Sequence, residues 1–240
     1  MKTYALYLES GPKKQRSMVH VLELLGCIAK GSTTDEAIAN TPDAIRAYLK
    51  FLRRHARSAP IDLGGALKTK IVEHVMAGQW LGNGDPALVF QFDLEPITPK
   101  EIETYLQQLE WSRAEVIKLV SGLTHAQLEF DPKNKQRPIR IMLEHMLESE
   151  YFYLSSFLGP IEGLPATGSI VRKREGDLLQ WMSYVRTIEV ERLQTLTTEE
   201  RSKSIEHWKQ TWTARKMFRR MLEHEWEHLI ELSERLGKKI

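Results

Sequence analysis

Cysteine is almost missing from this 240-residue chain. The one thiol, Cys27, excludes an internal disulfide framework and any zinc site built from several cysteines. Long apolar runs are missing as well. Stretches such as residues 87–90 fall far short of the ~18 residues that a membrane span needs. The N-terminus carries one lysine but no apolar run of signal-peptide length. An excess of one charge sign is also absent, since 34 basic residues face 32 acidic ones for a net +2. That balance argues against a dedicated nucleic-acid binder. The clusters Lys13-Lys14-Gln15-Arg16 and Arg53-Arg54-His55-Ala56-Arg57 read as solvated faces. These absences lead us to expect a soluble, cytoplasmic protein, without membrane or nucleic acid as partner.

The first 97 residues read as α+β. Tyr4, Leu6 and Leu8 alternate with Thr3, Ala5 and Tyr7 in a strand pattern. Gly11-Pro12 marks a turn, residues 17–24 a second strand and residues 27–30 a short third, between Gly26 and Gly31. Thr33 and Glu36 stand at capping-box spacing before Ala37, Ile38, Ile45, Tyr48, Leu49 and Leu52, so a helix starts there. Pro42 either kinks that helix or restarts it. Residues 71–75 and 87–92 suggest two further strands around Gly82-Asn83-Gly84-Asp85-Pro86.

A composition shift at Pro96–Pro99 divides the chain into 1–97 and 98–240. Beyond it the pattern is helical. Thr98-Pro99-Lys100-Glu101 is a capping box with proline at the first helical position. Helices follow at about 98–120, 138–158, 178–196 and 213–236, the last stopped by Gly237. Four such helices predict an all-α four-helix bundle. The basic loop 160–176 reads as mobile. His207, Trp208 and Trp212 are expected at the end of the bundle, and Trp111, Trp181 and Trp226 in its core or at an interface. Cys27 has no histidine or acid pattern around it and reads as buried and inert.

Three of the eight histidines stand out. His224 and His228 are four apart, so a helix puts both on one face within reach of one ion. His145 sits mid-helix among Ile141, Met142, Ser149, Phe152 and Tyr153. Each part has a plainer explanation, a packed core histidine or a solvated pair, but together they point into one bundle interior. Glu225 falls inside the apolar arc formed by Phe218, Met221, Leu222, Leu229, Leu232 and Leu236. A carboxylate there needs a cation, a hydrogen-bond donor or a proton. The string HEWEH also fits H-E-x-x-H, in which two histidines bind zinc beside a glutamate base. A peptidase of that kind needs a third ligand downstream, and Glu231 and Glu234 on the same helix are poorly placed for it.

Residues 21–52, VLELLGCIAKGSTTDEAIANTPDAIRAYLKFL, resemble the HicB-like antitoxin domain, a likeness that covers about residues 1–60. No ribbon-helix-helix or helix-turn-helix signature follows it. Residues 98–240 resemble the DinB-like, or YfiT-like, family of four-helix-bundle metalloproteins. His145 in HMLESEYFYL, with His224 and His228 in RRMLEHEWEHLIEL, matches that family's histidine on helix two and its H-x-x-x-H pair on helix four. The likeness implies a divalent ion, zinc or nickel, on His145, His224 and His228, with Glu225 as a supporting hydrogen-bond acceptor behind them or a proton acceptor. It also implies thiol-dependent transfer, isomerisation or hydrolysis on a small molecule, with a low-molecular-weight thiol as cosubstrate in some members. The alternative is a non-catalytic, metal-stabilised binding or sensor module with a HicB-like partner-binding half. Strand edges and an apolar first bundle helix suggest a homodimer.

Overall fold

The computed structural model describes residues 2–12, 15–56, 66–133, 136–164 and 177–239. The basic triplet at 172–174, and with it most of the loop read as mobile, lies outside them, as do Lys13 and Lys14. The chain clusters into two compact units, residues 1–95 with 204–223 and residues 96–203 with 224–240.

In the first unit, β1 (Thr3–Ser10) buries Tyr4, Leu6 and Leu8, alternate residues on one side. It pairs antiparallel with β2 (Gln15–His20), which pairs antiparallel with β3 (Ile28–Thr33). On its other side β1 runs parallel to β4 (Lys68–Val75), giving the order β3-β2-β1-β4. Helix α1 (Thr34–His55) buries Ala37, Ile45, Tyr48, Leu49 and Phe51. Thr33 caps it by accepting from the Glu36 amide at 3.2 Å. Helix α1 does not restart at Pro42. It runs unbroken, and the buried Thr41 hydroxyl donates to Ala37 O at 2.8 Å in the turn where Pro42 supplies no N–H.

Two strand expectations are corrected. Residues 17–24 are not one strand, because β2 stops at His20 and Leu22–Leu24 form a 3-10 turn. Val21 N donates to Cys27 O, and Cys27 N to Leu24 O, so the chain closes on itself there. Gly26, at φ 104, takes the left-handed conformation that this turn requires. Cys27 is buried as expected, and burial pushes its thiol well above the usual range. Residues 87–92 form no strand either. Gln91–Leu94 is a 3-10 turn in which the Asp93 carboxylate accepts from Phe90 N at 2.9 Å.

An unanticipated hairpin, β5 (Ser204–His207) with β6 (Gln210–Thr213), also clusters with this unit. Trp208 and Lys209 form its turn at φ 52 and 62, both left-handed, which a hairpin of this kind usually signals with Asn or Gly. His207 stacks on the exposed Trp208, while Trp212 is fully buried. These aromatic residues cluster with the first unit. The long helix α7 (Ala214–Leu236) contributes its first ten residues here and the rest to the second unit.

Buried charge ties those segments together. Arg219 grips Asp93 with two parallel bonds of 2.8 Å and reaches Glu223 at 3.1 Å, all of it buried. Glu223 accepts from His20 Nδ1 at 2.7 Å, and His20 Nε2 faces Glu9 at 3.5 Å. Glu9 in turn accepts from the amides of Gly84 and Asp85.

The second unit is the four-helix bundle, built from α2 (Pro99–Val120), α4 (Ile139–Leu158), α5 (Leu178–Gln194) and residues 224–236 of α7. A short α3 (His125–Glu129) precedes α4, and α6 (Thr198–Ser202) follows α5. Thr98 forms the expected capping box with Glu101. Gly237 ends α7 at φ 61, with Gly237 N donating to Glu234 O and Lys238 N to Ser233 O, so a left-handed glycine closes the last turn. Leu109, Val116, Met142, Leu143, Met146, Leu154, Met182, Val185, Leu229 and Leu232 fill the bundle interior.

Removing the acceptor of the Arg219 pair strands a buried guanidinium. We expect Asp93→Ala to destabilise the protein by about 3–5 kcal/mol in urea titrations, whereas Asp43→Ala, an exposed partner on α1, should change little.

A three-histidine candidate metal centre

His145 lies mid-helix on α4, and His224 and His228 one turn apart on α7. The structure brings all three together. His224 Nε2 stands 3.1 Å from His145 Nε2 and 3.2 Å from His228 Nε2. The three ligand atoms lie within 4.8 Å of one another. Nitrogens bound ~2.0–2.1 Å from a tetrahedral ion stand roughly 3.3 Å apart, so the arrangement fits a shared divalent cation. A single imidazole proton cannot lie squarely along both contacts, whereas a cation would engage all three lone pairs. The rings meet edge to face, and Tyr153 packs its ring against His224 at 5.8 Å between centroids.

Protonation favours ligation. Burial, then the charges of Arg137 and His228, pushes His145 down to about 4, so it is neutral at physiological pH. His228 Nδ1 faces Glu231 Oε2 at 3.2 Å. With Nδ1–H donating to that carboxylate, Nε2 keeps its lone pair for a metal, the usual histidine–carboxylate backing. Glu231 is the functional residue that sequence reasoning misses. The sequence weighs it only as a metal ligand, although its i,i+3 spacing from His228 places it on the far nitrogen.

Glu225 has a different place from the one expected. Its Oε1 accepts from Arg113 Nε at 2.6 Å and its Oε2 from Arg186 Nη2 at 2.5 Å. The same guanidiniums hold Glu150, and Arg186 Nε faces Glu189 at 3.2 Å. Burial and the Glu150 carboxylate push Glu189 up to about 8, so it keeps its proton at neutral pH. With both oxygens engaged, Glu225 is poorly placed to take a proton from a substrate. The cation that it required in the apolar arc is supplied by arginine. Arg113, Arg186, Glu150 and Glu189 were not foreseen, and Glu225 itself was the signal for them.

A pocket of about 490 Å³ has Glu231 in its wall, though none of the three histidines lines it. Leu123 and Phe130, on either side of α3, and Ile139, at the start of α4, also line it.

A four-helix unit that converges three imidazoles from two helices defines a bundle protein with a candidate metal centre. The sequence model of the DinB superfamily matches residues 108–232, just over half of the chain, and the chain belongs to the DinB superfamily. At its N-terminal region it is 42% identical over 45 residues to the UPF0150 protein Ta0767 of Thermoplasma acidophilum. That match covers 19% of this chain and 65% of the relative, a little under two thirds of its length, and it supports the HicB-like character of the region. Among solved structures, the chain aligns with YfiT from Bacillus subtilis at 20% identity and a TM-score of 0.41, over 60% of this chain and 92% of that one. YfiT is described as a probable metal-dependent hydrolase with an unusual four-helix bundle topology. Among the described residues, no helix is long and apolar enough to cross a membrane.

One divalent ion per chain is the expected metal content by mass spectrometry. Alanine at His145, His224 or His228 should remove it. Glu231→Gln should weaken it by roughly 10–100-fold, as loss of a backing carboxylate does. His125→Ala and His207→Ala should leave it unchanged.

Proposed function

We propose that the bundle is a divalent-metal-dependent enzyme acting on a small molecule, by hydrolysis or by transfer involving a low-molecular-weight thiol. The observation that carries this reading is the convergence of three histidine Nε2 atoms, one of the rings backed by Glu231 in the wall of a pocket. Three protein ligands leave a coordination position open, as catalytic rather than structural zinc sites do. A bound zinc or nickel ion there supplies Lewis acidity and a route to a nucleophile at neutral pH.

The chain's own residues set the conditions for that chemistry. His145 presents a neutral imidazole. Glu231 fixes the tautomer and ring of His228. Arg113 and Arg186 hold Glu225 and so keep the turn of α7 that bears His224 and His228 packed in the bundle. Tyr153 shields one side of the centre from water.

The test is the visible spectrum of the cobalt-substituted protein. Cysteine or 2-mercaptoethanol should add a thiolate-to-metal band, and acetohydroxamate should shift the ligand-field bands. If neither reagent changes the spectrum, the centre is closed and structural, and the enzyme reading fails in favour of a metal-stabilised module.

The HicB-like unit we assign to partner binding, with a second copy of the chain as the first partner. Its strand β4 is last in the sheet order and exposes Ile71 and Val72, an edge that wants covering. Sedimentation at tens of micromolar should give a dimer, and Val72→Lys should shift it towards monomer. A monomer at every concentration overturns the assignment.

A further inference from the structure

The charge cluster inside the bundle holds more carboxyl groups than cations. Glu150, Glu189 and Glu225 lie with Arg113 and Arg186, and none of the five side chains is more than 6% exposed. With all five ionised, the site would keep one net negative charge away from water, which is costly. Arginine does not give up its proton, so the compensating proton belongs on a carboxyl. The contacts say on which one. Glu225 uses both oxygens, accepting from Arg113 Nε at 2.6 Å and from Arg186 Nη2 at 2.5 Å. Glu150 Oε1 lies on both guanidiniums, 2.6 Å from Arg113 Nη2 and against Arg186 Nη2. Glu189 faces only Arg186 Nε, 3.2 Å from its Oε2, and neither of its oxygens accepts a hydrogen bond among the described residues.

We propose that Glu189 makes this cluster a one-proton switch: the bundle closes around the neutral acid and loosens when that proton is lost. The charged groups that face Glu189 come from all four long helices, Arg113 from α2, Glu150 from α4, Arg186 from its own α5 and Glu225 from α7. Burial and then the Glu150 carboxylate favour the proton, Arg186 and Arg113 oppose it, and the balance leaves the group at about 8. The three histidines are not among the groups that act on it. In the unfolded chain Glu189 ionises in the ordinary carboxylate range. Between that range and about 8, the folded chain therefore holds a proton that the unfolded chain has lost. The contribution of Glu189 to stability is fully present at acid pH and is lost as the pH rises to about 8.

The switch is independent of the metal-enzyme reading, so the test uses the full chain after chelation. Urea titrations from about pH 5 to about pH 9 compare the wild type with Glu189→Gln, which copies the neutral acid, and with Glu148→Gln, at an exposed position on α4. Relative to Glu189→Gln, the wild-type folding constant should fall by up to about tenfold per pH unit below about 8 and level off above it. Glu148→Gln should follow the wild type. Infrared spectra of the native protein give a reading that needs no unfolding. At neutral pH the wild type should show the carbonyl stretch of an un-ionised carboxyl, which should fade as the pH rises and be absent from Glu189→Gln. Parallel stability profiles for the wild type and Glu189→Gln overturn the proposal. So does a wild type with no un-ionised carboxyl at neutral pH, or one whose un-ionised carboxyl survives Glu189→Gln.

Discussion

Two guanidiniums on Glu225 are the constraint on which the bundle depends. A carboxylate deep in a helix interface is costly unless cations hold it. Arg113 from α2 and Arg186 from α5 do so, and both also hold Glu150 from α4. One buried cluster thereby joins all four helices. Its stoichiometry is three carboxyl groups to two guanidiniums, and burial with the Glu150 carboxylate holds the pKa of Glu189 up. Such clusters add little net stability over a hydrophobic equivalent, but an incomplete one is heavily penalised. The helices therefore have one register in which the charges close. In that register His224 and His228, on either side of Glu225 in the sequence, meet His145.

The metal centre illustrates how position decides chemistry. His145, His224 and His228 have the same side chain as His20, and the surroundings separate them. His20 lies between Glu9 and Glu223, and despite its burial those carboxylates hold its pKa up within an ion network. His145 lies among rings and near Arg137, which hold its pKa down and leave a free lone pair. The first arrangement suits a structural charge and the second a ligand.

The first unit solves a similar problem in another way. Its sheet is short, and β4 joins it in parallel beside the antiparallel β1–β2–β3 meander. Segments distant in sequence, the turn at Asp93 and the start of α7, are joined by the bidentate pair of Arg219 and Asp93. That pair explains why residues 204–223 cluster with the N-terminal residues although the sequence places them after three bundle helices.

Local signals were enough for the elements that rest on local physics. The capping residues Thr33 and Thr98, the proline at the start of α2 and the glycine after α7 each act within one turn of chain, and periodicity alone placed the four long helices. The i,i+4 spacing of His224 and His228 was visible for the same reason. His145 joined them as a mid-helix histidine facing the same bundle interior, a match that a family resemblance then repeated, and the N-terminal HicB-like string was likewise legible in its turn and cap residues. What the chain could not announce were arrangements that depend on distant partners. The hairpin at 204–213 turns through Trp208 and Lys209, which carry no turn signature. Residues 87–92 look like a strand until Arg219 claims Asp93 and fixes a 3-10 turn. Glu225 reads as a base because its partners, Arg113 and Arg186, lie 112 and 39 residues away along the chain. A charge in an apolar stripe tells the reader that a partner exists, and only the tertiary structure says which one, because pairing is set by distance in space rather than in sequence.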